Sequence, residues 1–120
     1  MNTRLRATIA HVVARLSLGE ARKSVYDYSQ SKYVSFGGTV TTQQINVFDY
    51  DRQCYLTGQF SQGRYQLFDY EGKRHVQLEI AASAFKGFDY GSGRHFQGRV
   101  DRNTIQIFNY ETGSYFNYQV

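Results

Sequence analysis

The chain changes its hydrophobic period near residue 22, and the two parts predict different elements. Before residue 22, apolar side chains recur every three to four positions, at Leu5, Ile9, Val12, Val13 and Leu16. This spacing predicts an amphipathic helix from Arg4 to Ser17. Asn2 or Thr3 is a suitable N-cap for it, and Gly19 is a suitable end.

After residue 22 the period becomes two, and one phrase returns along the chain. It reads VFDYDRQCYL, LFDYEGKRHV, GFDYGSGRHF and IFNYETGSYF, and its second aromatic residues, from Tyr28 to Tyr110, are spaced by 22, 20, 20 and 20 positions. A constant period with short turns is typical of repeated β-hairpins. The predicted fold is mainly β: an antiparallel up-and-down meander of about ten strands, curled or barrel-like, with one N-terminal helix. Residues 1–22 supply the helix and residues 23–120 supply five tandem hairpins, together one domain.

Alternation along the strands sorts the side chains onto two faces. The apolar face is the predicted core: Ile45, Val47, Leu56, Phe60, Tyr65, Leu67, Val76, Leu78, Ile80, Phe85, Phe96, Val100, Ile105, Ile107, Phe116 and Val120. The other face is polar apart from its aromatic residues. We predict that Gln66, Gln77 and Gln106 are exposed on it.

The helix is too short to cover a flat sheet. Ten strands side by side span about 45 Å, whereas the predicted helix is about 21 Å long. A sheet that curls around the helix removes this mismatch, and so does the pairing of two chains through the uncovered apolar area. Curling is favoured, with some self-association through the remainder.

Aromatic side chains form rows on the polar face. The candidate binding residues are Tyr50, Tyr55, Phe68, Tyr70, His75, Phe88, Tyr90, His95, Tyr110 and Tyr115. If Tyr50 pairs across its hairpin with Tyr55, the two rings stand about 5 Å apart, and each such pair stabilises a sheet by about 0.2–1 kcal/mol. Exposed rings also stack on sugars and on nucleic-acid bases. The rows therefore predict either a sheet-stabilising ladder or a ligand platform.

An Asp or Asn precedes the repeated tyrosine in every hairpin. The five residues are Asp27, Asp49, Asp69, Asp89 and Asn109. Equivalent positions lie two strands apart, about 9–10 Å, which is too far for a shared metal ion. Hydrogen bonds from turn N–H groups need no charge, which explains why Asn109 can replace an aspartate. Turn support is the predicted role, and no metal or cofactor is predicted.

Basic charge is concentrated at the N-terminus. The net charge of +4 belongs to residues 1–23, which hold Arg4, Arg6, Arg15, Arg22 and Lys23 against Glu20. The favoured arrangement is a helix packed on the sheet with a solvated basic face that includes Arg6 and His11. A membrane-surface helix and a cleaved presequence are the alternatives. The hairpin region is electrically neutral, which disfavours nucleic acid because affinity for phosphates comes largely from Lys and Arg.

No catalytic residues are predicted, because the usual metal, phosphate and nucleophile motifs are absent from the sequence. Lone Cys54 corresponds to lysine, arginine or serine in other hairpins. We therefore predict a non-enzymatic binding or assembly module, with a second copy of the chain, a glycan or a protein as partner. Carbohydrate or single-stranded nucleic-acid binding through the aromatic rows is the alternative, and lipid contact through the helix is a further one. No signal peptide or transmembrane segment is recognised, so the cytoplasm is favoured.

The repeated phrase also resembles known families. Its aromatic–Asp–Tyr core with a short turn and Gly-Arg, as in FDYGSGRHF, is similar over residues 23–120 to the tyrosine–aspartate (YD) repeats of Rhs-type proteins. Its Tyr- and Gly-rich hairpins also resemble MORN-type repeats, which are meanders linked to membranes and scaffolding. These resemblances imply a hairpin array that acts in binding or assembly, and they transfer no site residue.

Overall fold

The computed structural model describes residues 1–19 and 22–120 of the chain. Its elements are α1 (Thr3–Leu18), β1 (Ser24–Asp27), β2 (Lys32–Val40), β3 (Gln44–Asp49), β4 (Cys54–Ser61), β5 (Arg64–Asp69), β6 (Arg74–Ala81), β7 (Ala84–Asp89), β8 (Arg94–Asp101), β9 (Thr104–Asn109) and β10 (Ser114–Gln119). Glu20, which enters the N-terminal charge balance, lies outside the described residues.

The strands form a closed antiparallel barrel in which each strand pairs with its neighbours in sequence and β10 returns to pair with β1. The predicted meander of five hairpins with one N-terminal helix is confirmed. Curling continues to full closure, so the strand edges that an open sheet would expose are paired.

Two joints between hairpins, the seam of β10 with β1 and the joint of β2 with β3, have a register that differs from the other three. Asp69 pairs with Leu56 of the preceding hairpin, whereas Asp27 pairs with Tyr118 and not with Phe116, the equivalent residue of β10. The displacement is two residues, and an even displacement keeps every inward side chain inward. In the described strands the seam holds two ladder pairs, against six between β4 and β5.

Helix α1 runs inside the barrel. Every residue from Leu5 to Ala14 is buried, so the helix is covered on all sides. Asn2 is the N-cap and accepts a hydrogen bond from the N–H of Leu5 at 2.8 Å, and Gly19, at φ 108°, ends the helix. Sixteen helical residues span about 24 Å, which fits inside a molecule of 33 × 31 × 30 Å.

The predicted solvated basic face is wrong for Arg6 and His11, which are 2% and 0% exposed. A helix enclosed by a barrel has no wet side, so its polar stripe is buried together with its apolar stripe. Arg4 remains exposed at one rim of the barrel and Arg15 is half-buried towards the other. Membrane contact through this helix stays a prediction, and it requires α1 to leave the barrel.

Inward strand positions form the core together with α1, as the alternation predicts. The inward residues singled out from the pattern are buried: Leu67, Val76, Leu78 and Ile107. Gln66 lies exposed on the outer face, so the assignment of the two faces is confirmed. Period two therefore located the core even though it could not show what fills it.

Some of the predicted exposures are wrong in detail. Phe60 is 42% exposed because it lies at the rim where β4 turns into β5. Gln77 and Gln106 are outward but half-buried, since Arg64 donates to Gln77 at 3.2 Å and Gln106 donates to Asn117 at 3.2 Å. Cross-strand neighbours on the outer face cover part of each amide.

Enclosure of α1 covers most of the apolar face that motivated the expected self-association. In the part of the chain that the structure describes, the core is flanked by partly buried apolar side chains at Leu16, Ile80, Val100, Phe116 and Val120. Self-association stays a prediction. In the part of the chain that the structure describes, α1 covers the sheet face whose exposure was the reason to expect self-association.

Candidate functional site

An aromatic girdle encircles the outer wall near one end of the barrel. Within residues 22–120 each hairpin contributes three rings: a central ring on the outgoing strand, a tyrosine in the turn and a ring on the returning strand. The triads are Tyr26–Tyr28–Tyr33, Phe48–Tyr50–Tyr55, Phe68–Tyr70–His75, Phe88–Tyr90–His95 and Phe108–Tyr110–Tyr115. The central ring meets both partners edge to face, with centroids 4.7–5.1 Å apart. All ten predicted binding residues belong to the girdle.

The register inside each triad differs from the predicted one. Tyr55 pairs across the hairpin with Phe48, not with Tyr50. Tyr50 lies in the turn after β3, because four residues connect Asp49 to Cys54. The conditional pairing of Tyr50 with Tyr55 is therefore wrong, although both rings contact the same central phenylalanine.

Backbone hydrogen bonds connect one triad to the next. The N–H of Tyr70 donates to the carbonyl of Tyr55 at 3.1 Å, and Tyr90 donates in the same way to His75 at 3.0 Å. At the seam, Tyr28 donates to Asn117, two residues beyond Tyr115, because of the displaced register. The girdle is thus a continuous band whose spacing changes at the seam and also between β2 and β3, where Tyr50 donates to Ser35.

The flanking rings of the girdle are open to solvent, and the central rings are not. Turn tyrosines are 46–59% exposed, and Tyr33 and Tyr115 on returning strands reach 71% and 64%. Each central ring is half-buried beneath its two partners. The inner ring of each triad therefore serves the sheet, while the outer rings present faces that a ligand can reach.

An amide belt lies beside the girdle on the same outer wall. Its members are Gln44, Asn46, Gln59, Gln66, Gln77, Gln97, Gln106 and Asn117. Neighbouring strands place these amides side by side, as where Gln59 pairs with Gln66 and Gln66 with Gln77. A side-chain amide both donates and accepts hydrogen bonds, so the belt can bind hydroxyl or carbonyl groups beside an aromatic ring.

Shallow grooves form where the belt meets the girdle. One groove of about 450 Å³ combines Gln44, Asn46, Gln59 and Gln66 with Phe68 and His75. Another of about 470 Å³ combines Gln97, Arg99 and Gln106 with Phe108 and Tyr115. Both place polar groups against an aromatic wall, so one ligand can stack and form hydrogen bonds in the same groove.

The aspartate ring, made of Asp27, Asp49, Asp69, Asp89 and Asn109, faces inward at the girdle end and is buried. Side-chain oxygens of these residues accept hydrogen bonds from backbone N–H groups in the following turns, from Ser29, Asp51, Gly72, Gly91 and Glu111. The predicted role in turn support is confirmed. Among the described residues, no group of three or more His, Cys, Asp or Glu side chains is placed to hold a metal ion.

Arg52 joins two members of the aspartate ring to the helix, and the sequence analysis missed it. Its Nε lies 2.6 Å from Asp49 Oδ2, its Nη1 lies 2.9 Å from Asp69 Oδ1, and its Nη2 donates to Thr8 Oγ1 at 3.0 Å. Burial lowers the pKa of Arg52, but the hydrogen bond to Asp49 and the charges of both aspartates raise it overall. Equivalent turn positions hold Gly72 and Ser92, so no repeated signal marked this arginine.

Arg6 closes the seam from the inside, which the sequence analysis also missed. Its Nε donates to the hydroxyl of Tyr118 at 2.8 Å, its Nη2 donates to Ser29 Oγ at 3.2 Å, and its guanidinium lies 3.3 Å from the ring centroid of Phe116. Burial raises the pKa of Tyr118. The displaced register brings Tyr118 to this arginine. The only sequence signal for these contacts of Arg6 is the presence of a basic residue among apolar neighbours in the helix.

Cys54 is half-buried beside the Arg52 network. Burial is the leading cause that raises the pKa of its thiol above the ordinary value. A raised pKa keeps the thiol protonated and weakens it as a nucleophile. Cys54 is therefore not an activated thiol in this environment.

Comparison with family models, with curated proteins and with solved structures found no match to this chain. The resemblance to YD and MORN-type repeats stays a prediction. Among residues 1–19 and 22–120, no helix combines the length and the apolar character needed to cross a membrane.

Proposed function

We propose that the protein is a non-enzymatic carbohydrate-binding module whose ligand lies on the outer wall of the barrel, across the aromatic girdle and the amide belt. The observation that supports this most directly is the half-exposed state of the flanking rings beside a row of amides. A sugar ring offers a face of C–H groups and a rim of hydroxyls. Aromatic faces pack against the first, and amides hydrogen-bond to the second.

Repetition of the triad favours an extended ligand. Tyr50, Tyr70, Tyr90 and Tyr110 occupy equivalent turns on successive hairpins, two strands apart. Two strands span about 9–10 Å. Successive units of one oligosaccharide can therefore contact successive triads. Once one unit is bound, the next is held close to its own triad, so the whole oligosaccharide binds more tightly than a single unit would.

In the groove near Gln44, charge favours a sugar over a nucleic acid. Gln44, Asn46 and Gln59 line one groove with no charged neighbour among its described lining residues. A single-stranded nucleic acid requires a basic groove along its phosphates in addition to stacked bases. The neutral amide belt matches the hydroxyls of a glycan better.

Sheet stabilisation by the same rings is compatible with this function, because different rings of a triad do different work. Phe68 contacts both Tyr70 and His75 and is half-buried, so it supports the sheet. Tyr70 is 51% exposed and lies outside the strand ladder, so a ligand can stack on it.

The test is a glycan array followed by calorimetric titration of any oligosaccharide that binds. We expect the double variant Tyr70→Ala/Tyr90→Ala to weaken binding at least tenfold while its Tm falls by only several degrees, because each exposed ring contributes about 1 kcal/mol or less to stability. Phe60→Ala is the matched control, since Phe60 is an exposed ring in an edge-to-face pair with Tyr65 at 5.0 Å but lies outside the girdle. Absence of binding to every glycan, or equal losses in the control, would refute the proposed function.

A further inference from the structure

The two sides of the outer wall carry different charge. Away from the turns, the outward residues Gln44 and Asn46 on β3 and Thr57 and Gln59 on β4 are neutral. From β5 to β8 the equivalent wall carries a charged side, made of Arg64, Glu79, Lys86, Arg99 and Asp101. Three cations against two carboxylates leave this side positive.

Glu79 accounts for two of these cations. Its Oε1 lies 3.3 Å from Arg64 Nε, and its Oε2 lies 3.7 Å from Lys86 Nζ. Lys86 is nevertheless 73% exposed along its side chain and is shared by three grooves. One carboxylate cannot neutralise both neighbours, so Lys86 keeps donors for a ligand.

Arg99 is the cation that remains unmatched. It is exposed, and it forms no ion pair with any residue in the ranges 1–19 and 22–120. It lines the groove of about 470 Å³ together with Lys86, Gln97 and Tyr115. Its planar guanidinium can bind a carboxylate through two parallel hydrogen bonds.

Stacking and charge recognition lie close together in this groove. Gln97 pairs with Phe108, which pairs in turn with Tyr115, and Arg99 is the next outward residue after Gln97. Two residues along a strand span about 7 Å. A short oligosaccharide can therefore place one ring on the Phe108–Tyr115 edge and an acidic group at Arg99.

We infer that the groove between β6 and β10 selects a carboxylate-bearing glycan over its neutral counterpart, through Arg99 with Lys86 in support. This inference rests on the proposed function and adds the chemical class of its ligand. The neutral groove near Gln44 then binds uncharged sugar units of the same glycan.

Hexagalacturonate and its fully methyl-esterified form are a matched pair of probes, because they share a backbone and differ in charge. We expect the acidic form to bind at least tenfold more tightly in low salt, with the preference shrinking as salt rises. Arg99→Gln should reduce that preference to about twofold or less, a loss of roughly 1 kcal/mol for a charged contact near the surface. Its affinity for the ester should fall much less than its affinity for the acidic form.

Arg102→Gln is the control, since it removes the same charge from a neighbouring turn outside the groove. Equal binding of the two probes would overturn this inference, and a neutral glycan found on the array would then leave the proposed function standing. If the original protein binds no glycan, both the inference and the proposed function are overturned. If an oligothymidylate binds more tightly than hexagalacturonate and this binding depends on Arg99, the inference is overturned in favour of a nucleic acid.

Discussion

The imidazole of His11 stacks on the ring of Phe36 inside the barrel, with centroids 4.3 Å apart and planes 15° from parallel. Neither ring nitrogen of His11 has a hydrogen-bond partner among the described residues. Burial, helped by the charge of Arg15, lowers the pKa of His11 from 6.5 to about 3. Between pH 6.5 and about 3 the folded protein therefore holds a neutral His11, whereas the unfolded chain holds a protonated one.

Acid is expected to destabilise the barrel through His11. Between pH 6.5 and about 3 the unfolded chain binds a proton at His11 that the folded protein does not. Above pH 6.5 the titration of His11 does not reduce the stability of the fold. Below pH 6.5 the free energy of unfolding falls by about 1.4 kcal/mol for each pH unit, until His11 is also protonated in the folded protein near pH 3. Urea unfolding of the original protein and of His11→Phe from pH 7 to pH 4 measures this, and the variant should lose less stability.

The informative quantity is the difference in pH dependence between the original protein and His11→Phe. His75→Phe makes the same chemical change at an exposed position and keeps an aromatic ring in its triad. Its pH dependence should follow that of the original protein. Parallel curves for His11→Phe and the original protein would contradict the assignment.

Removal of Arg52 should be among the most destabilising substitutions in the chain. Arg52→Met leaves Asp49 and Asp69 buried without their shared cation. Breaking a buried pair in this way costs about 3–5 kcal/mol, which urea titration at pH 7 can measure. Lys73→Met, at an exposed turn residue, should change the free energy of unfolding by less than about 0.5 kcal/mol. Similar values for the two variants would show that the network does not stabilise the fold.

Within one triad the central and flanking rings should separate stability from binding. Phe68→Ala removes a half-buried ring with two edge-to-face contacts and should cost about 1–3 kcal/mol. Tyr70→Ala removes one contact of an exposed ring and should cost about 1 kcal/mol or less. Thermal and urea melts check the order, which is reversed if Tyr70 is the structural ring.

The seam should be the first part of the barrel to open. Tyr28 donates to Asn117 at 3.3 Å beside two ladder pairs, whereas Tyr70 donates to Tyr55 at 3.1 Å between two long strands. Local opening follows local contact density. Amide hydrogen exchange followed by NMR should therefore be faster for Tyr28 than for Tyr70. Tyr118→Phe, which removes the acceptor for Arg6, should widen the difference.

Local chemistry was readable from the chain because it depends on near neighbours. Period two placed Leu67 and Val76 inward and Gln66 outward, since successive strand residues point to opposite faces. The turn role of Asp49 could be predicted in the same way, because its side-chain oxygen accepts a hydrogen bond from the N–H of Asp51, only two residues further along the chain. Candidate binding residues such as Tyr70 could be named from the repeated phrase, although their use by a ligand stays a prediction.

Pairings between distant parts of the chain depended on the closed structure. Turn length put Tyr55 opposite Phe48, and closure displaced β10 by two residues so that Tyr118 meets Arg6. The interpretation of an amphipathic pattern assumes that one face of the helix contacts solvent. Between Leu5 and Ala14 helix α1 has no solvent-exposed face, because the barrel surrounds it. The burial of Arg6 and His11 is therefore a property of the enclosure and not of the helical sequence.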